Sequence, residues 1–119
     1  MNDAPICNKA VYLEFCGDVG PEDAAEVLSG FLEDTLTKMS ALASFADRSV
    51  LKREAHAIKS SSATFGFDRL SGLGRRLEFG AEAMSQAEVQ DAIAAIKGAF
   101  EATAGYARKE LLGANLLTL

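Results

Sequence analysis

Leu28, Phe31, Leu32, Leu36, Met39 and Leu42 recur at spacings of three and four residues. Leu51, Ala55, Ile58 and Ser62 do the same, followed by Leu70, Leu73 and Leu77, and then by Val89, Ile93, Ile96, Phe100 and Ala107. Residues spaced this way line one side of an α-helix, whereas a half-buried strand alternates with a period of two. Four such stretches, with nothing to support a strand between them, predict an all-α fold. Composition agrees, because Ala and Leu outweigh the β-branched residues that strands favour.

Punctuation between the stretches sets the helix ends. A short first helix is expected from about Asn8 to Cys16, ended by the run Gly17-Asp18-Val19-Gly20-Pro21. Pro21, Glu22 and Asp23 suit a helix first turn, where a missing N–H costs nothing and negative charge suits the dipole. Asp47 or Ser49 can cap the third helix, which runs out near Gly66, where a left-handed residue is expected. The fourth starts around Asp68. Ser85 with Glu88 three residues on has capping-box spacing and opens a long last helix to about Leu112. The sequence does not decide whether Gly113 to Leu119 docks or frays.

A chain of 119 residues is the size of one domain and can bury a single core. Residues 1–119 are therefore read as one unit. Amphipathic helices of these lengths joined by short turns pack as an antiparallel four-helix bundle, with the additional short N-terminal helix as a lid. Cys7 and Cys16 are too few for a disulfide framework and are expected to be free thiols that serve packing in a reducing cytoplasm. No stretch approaches the roughly 18 apolar residues of a membrane span, and the N-terminus does not read as an export signal. The expectation is a soluble, cytoplasmic protein with no membrane partner.

The net charge of −5 argues against nucleic acid as a partner, since neutralising phosphates needs a basic surface. Its distribution says more. Seven of the twelve Lys and Arg residues, but only two of the seventeen Asp and Glu, fall between Arg48 and Arg76. A positive patch is set into an acidic chain, around its one histidine, His56.

At roughly 100° per residue, Lys52, Arg53, Lys59, Ser60 and Ala63 fall within about 60° of His56, while Leu51, Ala55, Ile58, Ser62 and Phe65 lie about 100° or more away. His56 is thus centred on the polar side of its helix. Neighbouring cations favour a neutral, nucleophilic imidazole and would hold a phosphoryl group once attached. They also repel metal ions, and a metal site needs several converging ligands, so no metal is expected. No nucleotide-binding motif, Gly-rich phosphate loop or nucleophilic triad spacing is visible. If His56 handles phosphate, the donor and any metal must come from elsewhere.

The stretch His56-Ala57-Ile58-Lys59-Ser60-Ser61-Ser62-Ala63-Thr64-Phe65-Gly66, followed by Leu70, Leu73, Leu77 and Glu78, resembles the signature of histidine-containing phosphotransfer (HPt) domains. In that family a Lys stands three residues after the His and a Gly ten residues after it, ahead of a leucine-rich helix ending in Leu-Glu or similar. The resemblance implies that His56 accepts the phosphoryl group and that Lys59 neutralises its oxygens. It implies that Glu78 faces the histidine and can fix its tautomer. Ser60 stands where the family often has Gly, and its hydroxyl could donate to the phosphoryl group.

The implied protein is a phosphocarrier and not an enzyme, without a nucleotide site or a cofactor of its own. Its implied partners are response-regulator receiver domains, which supply Mg²⁺, and a hybrid sensor kinase; the expected state is a monomer. Lys52, Arg53, Arg69, Arg75 and Arg76 are read as a docking rim, with Ala63 and Phe67 also facing the partner and Phe65 and Phe67 as candidate apolar contacts. Two other readings stand beside this one. A helical adaptor would bind partners without phosphorylation, and a dimerisation and phosphoacceptor module of a sensor kinase would typically follow the His with an acidic residue and a proline, where this chain has Ala57 and no nearby Pro.

Overall fold

A computed structural model describes residues 4–42 and 47–112. Five α-helices follow one another: α1 (Lys9–Val19), α2 (Pro21–Leu42), α3 (Arg48–Thr64), α4 (Asp68–Gly80) and α5 (Gln86–Tyr106), the last running into a π-type turn over Ala107–Leu112. No strand occurs among the described residues, as the spacing predicts. None of these helices is long and apolar enough to cross a membrane.

Three helix starts follow their local chemistry. Pro21, Glu22 and Asp23 form the first turn of α2. Asp47 caps α3 by accepting from the Ser49 N–H at 2.8 Å. Ser85 and Glu88 close a reciprocal capping box on α5, at 2.8 and 3.1 Å.

The end of α1 differs from expectation. Gly17, Asp18 and Val19 stay helical, and the stop is Gly20, whose φ of 92° only a residue without Cβ adopts freely. A glycine inside a helix is tolerated at modest cost; a positive φ is what ends one. The last helix reaches Leu112 as expected, although its final turn widens to π geometry. Gly113 to Leu119 lies outside the described residues.

α3 and α4 make the closest pairing. Ser71 donates to the Lys59 carbonyl, Glu78 reaches His56, and Glu82 reaches Lys52. Positions rise along α4 as they fall along α3, so these two helices are antiparallel. α5 packs on α4 and α2, α2 on α3, and α1 on both α2 and α3. The core is formed by the expected stripes, with Leu28, Leu42, Leu51, Ile58, Leu70, Leu77 and Ile96 sealed within it.

Leu36 is an exception. It is 55% exposed, and Thr35 is buried in its place. On a helical projection Leu36 lies roughly 80° from Leu28 and Thr35 only about 20°, so the facing direction and not the residue type decides. Cys7 and Cys16 are free and half-buried. Burial pushes the Cys7 thiol above its ordinary value, which makes it a packing residue more than a nucleophile.

The turn between α3 and α4 is closed by main-chain hydrogen bonds. Gly66 has φ 81°; its N–H donates to the Ala63 carbonyl and the Phe67 N–H to the Ser62 carbonyl, the paired bonds of a Schellman stop. Residues before α1 fasten onto this turn. The Asn8 N–H donates to the Gly66 carbonyl at 2.7 Å, and Arg69 holds the carbonyls of Ala4 and Pro5 at 2.9 and 3.0 Å.

A Cβ on Gly66 would lie 2.5 Å from the Asn8 carbonyl oxygen. The left-handed conformation alone costs a non-glycine residue about 1–2 kcal/mol. Gly66→Ala is therefore expected to lose at least about 2 kcal/mol of stability, seen as a lower denaturant midpoint.

Candidate functional site

The buried side of α3, with Leu51, Ala55, Ile58 and Ser62, turns His56 outward. The imidazole is 58% exposed, on the polar side where the sequence places it. α4 runs alongside and directs Glu78 across the gap, one turn beyond the buried Gly74 and next to the buried Leu77. One Glu78 oxygen lies 2.7 Å from His56 Nδ1 and the other 2.7 Å from Lys59 Nζ. His56, Lys59 and Glu78 thus meet at one carboxylate.

Lys59, and with it His56, holds the Glu78 carboxyl below the usual carboxylate value, outweighing the opposing effect of partial burial. At neutral pH this carboxylate only accepts hydrogen bonds. Nδ1 must then be the donor, which leaves the lone pair of the neutral ring on Nε2. A nucleophilic nitrogen is presented to solvent while its counterpart is held.

A depressed carboxylate stabilises the fold above its unfolded pKa, and that contribution disappears as the pH falls through the folded value. The stability advantage of the wild type over Glu78→Gln is expected to be greatest at neutral pH and to shrink through the acid range, which denaturant midpoints measured against pH would follow.

The remaining candidates divide. Ser60, Ala63 and Arg53 are exposed along α3 beside the histidine. Lys52 pairs with Glu82 at 2.9 Å one turn away. Arg75 is exposed on α4. Lys59, Ser60, Ala63, Ser71, Arg75 and Phe79 line an open hollow of about 580 Å³ adjoining the site.

Phe67 does not belong here. It is fully buried, with its ring 5.8 Å from Phe31 and 5.6 Å from Phe65, because the Schellman turn folds it back into the core. Phe65 is buried beside it. Two of the cations are structural: Arg48 donates to the carbonyls of Ala81 and Met84 in the turn before α5, and Arg69 holds the N-terminal segment.

Sequence reasoning missed Phe79, which is 69% exposed. Lys59 Nζ lies 5.1 Å and the Arg75 guanidinium 5.8 Å from the centre of its ring. The signal was present, since Phe79 sits about 120° from the Leu73 direction on a projection of α4.

Comparison with curated proteins finds no match, and neither does comparison with solved structures. The family model described as Hpt domain matches residues 23–106, from the first turn of α2 to the last residue of α5, and encloses His56, Lys59 and Glu78. The chain belongs to the Hpt domain family, whose members serve phosphotransfer in two-component phosphorelays.

Proposed function

We propose that His56 is the phosphoacceptor of a phosphorelay, taking its group from a receiver-domain aspartate and passing it to a second one. The observation that supports this most directly is an exposed imidazole whose inner nitrogen is held by a carboxylate at 2.7 Å. In the accepting step Nε2 attacks phosphorus; an N–P bond forms, and the P–O bond to the donor breaks with its electron pair leaving on the aspartate carboxylate. The ring then bears a positive charge with its proton still on Nδ1, where Glu78 offsets it. Donation to the next aspartate reverses these bonds.

Lys59 exchanges part of its contact with Glu78 for the incoming phosphoryl oxygens, and the Ser60 hydroxyl is within the same turn to donate to them. Mg²⁺ comes with the receiver, and the carrier, which is not an enzyme, needs no cofactor. Lys52, Arg53, Ala63 and Arg75 form the docking rim around the histidine. Phe79 supplies the apolar contact that the buried Phe67 cannot. The carrier acts as a cytoplasmic monomer, loaded by a hybrid sensor kinase, and α2 to α5 form its antiparallel four-helix bundle.

The test is to incubate the protein with phosphorylated receiver domains from the same genome and look for acid-labile, alkali-stable phosphate on it. No such label from any receiver would reject the proposal. Phe79→Ala is expected to leave stability within about 0.5 kcal/mol, as surface substitutions do, and to raise the KM for the phosphorylated receiver roughly tenfold, the effect of removing one aromatic anchor. Steady-state transfer kinetics measure it.

A further inference from the structure

The Glu78 carboxylate makes two contacts of 2.7 Å to two side chains of the neighbouring helix. Both close together only at one separation of α3 and α4. What sets that separation lies one turn earlier on α4. A Cβ built on Gly74 would fall 3.1 Å from the Ala55 carbonyl oxygen, 3.1 Å from the Lys59 nitrogen and 3.3 Å from the Lys59 Cα. All three atoms are α3 backbone, on the turns immediately before and after His56, and no rotamer change can move them aside. Three residues earlier, the Ser71 hydroxyl donates to the Lys59 carbonyl at 2.9 Å and ties the two helices at the same level.

We propose that Gly74, assisted by Ser71, is a positioning residue for His56: the missing side chain lets α4 lie against the α3 backbone at the one spacing where Glu78 reaches both the imidazole and Lys59. A methyl group at position 74 forces α4 outward by a few tenths of an ångström, and Glu78 then keeps the long, charged Lys59 at the expense of the shorter imidazole. His56 keeps its exposure but loses its fixed tautomer. The inference deepens the phosphoacceptor reading and rests on it for the functional consequence alone.

Gly72 supplies the control. It lies on the same helix, and a Cβ there meets nothing within 4 Å. Gly72→Ala and Gly74→Ala therefore make the same change in helix propensity, and only the second alters the spacing. The first reading is the ¹⁵N shifts of the His56 ring in the unphosphorylated protein, which distinguish a protonated from a bare nitrogen.

Wild type and Gly72→Ala are expected to show Nδ1 protonated and Nε2 bare once the ring is neutral. Gly74→Ala is expected to move towards the tautomer mixture of a free imidazole and to accept phosphoryl groups roughly tenfold more slowly, in keeping with the steep dependence of group transfer on alignment. A folded Gly74→Ala with wild-type ring shifts would overturn the proposal, and so would an equal change in Gly72→Ala. If Gly74→Ala does not fold cooperatively, Ser71→Ala, which removes the tie without adding volume, decides by the same shifts: movement in the same direction supports the proposal and unchanged shifts reject it. The tautomer is read without any phosphoryl donor, so a His56 that never accepts phosphate would reject the relay reading and leave this result intact.

Discussion

His56→Gln is expected to reduce acid-labile, alkali-stable phosphate to background while leaving the fold in place. The chain has one histidine, so phosphohistidine has no second place to form. Glutamine is close to histidine in reach, and its amide N–H can still donate to Glu78, so the carboxylate keeps a partner. An amide nitrogen has no available lone pair, and nucleophilic attack on phosphorus ends. The side chain is 58% exposed, and substitutions at such positions usually change stability by no more than about 0.5 kcal/mol. Full loss of label with an unchanged unfolding midpoint is the expected pair of results. Label that persists on the folded variant means that another group takes the phosphate.

Phe67→Ala should produce the largest loss of stability. The ring is fully buried and packs on Phe31 and Phe65, and truncating a buried Phe to Ala typically costs 3–5 kcal/mol, roughly. Domains of this size are stable by about 5–15 kcal/mol, so the variant forfeits roughly a fifth or more of its margin. The position also follows Gly66 in the Schellman stop, and loss of its packing loosens the joint that orients α4. Denaturant unfolding gives the answer directly. A midpoint within experimental error of wild type, together with weakened receiver binding, would instead return Phe67 to the surface role its sequence position first suggested. Phe79→Ala, with the opposite burial, is the natural companion measurement.

The contrast between these two phenylalanines marks where sequence reasoning succeeds and fails. Within a helix, direction follows from counting, and Leu51, Ala55, Ile58 and Ser62 are all buried while His56 faces outward. The caps at Asp47 and Ser85 are equally local and equally legible. Phe67 lies in a turn, where the count restarts; its direction is set by the left-handed Gly66, a feature the sequence suggests without saying which way the next side chain points.

The basic patch was visible as composition, but the uses of its members were not. Arg48 and Arg69 hold carbonyls 33 and 65 residues away in the chain, and no local pattern reports such partners. The contact of Glu78 with His56 spans 22 residues and was suggested by resemblance alone; no local pattern gives its length of 2.7 Å.

The strap formed by Ala4, Pro5 and Asn8 bears on where this protein can be cut. The family match opens at position 23, inside α2, yet the closed end of the α3–α4 hairpin is held by the Asn8 N–H, by the Ala4 and Pro5 carbonyls that accept from Arg69, and by the Phe15 ring, 5.0 Å from Phe65. A fragment trimmed to residues 23–106 would leave the Gly66 carbonyl without its Asn8 partner and open one side of the aromatic cluster to water. The stretch that the family model matches and the stretch that closes the α3–α4 turn are different lengths of chain, and the second includes Ala4, Pro5 and Asn8.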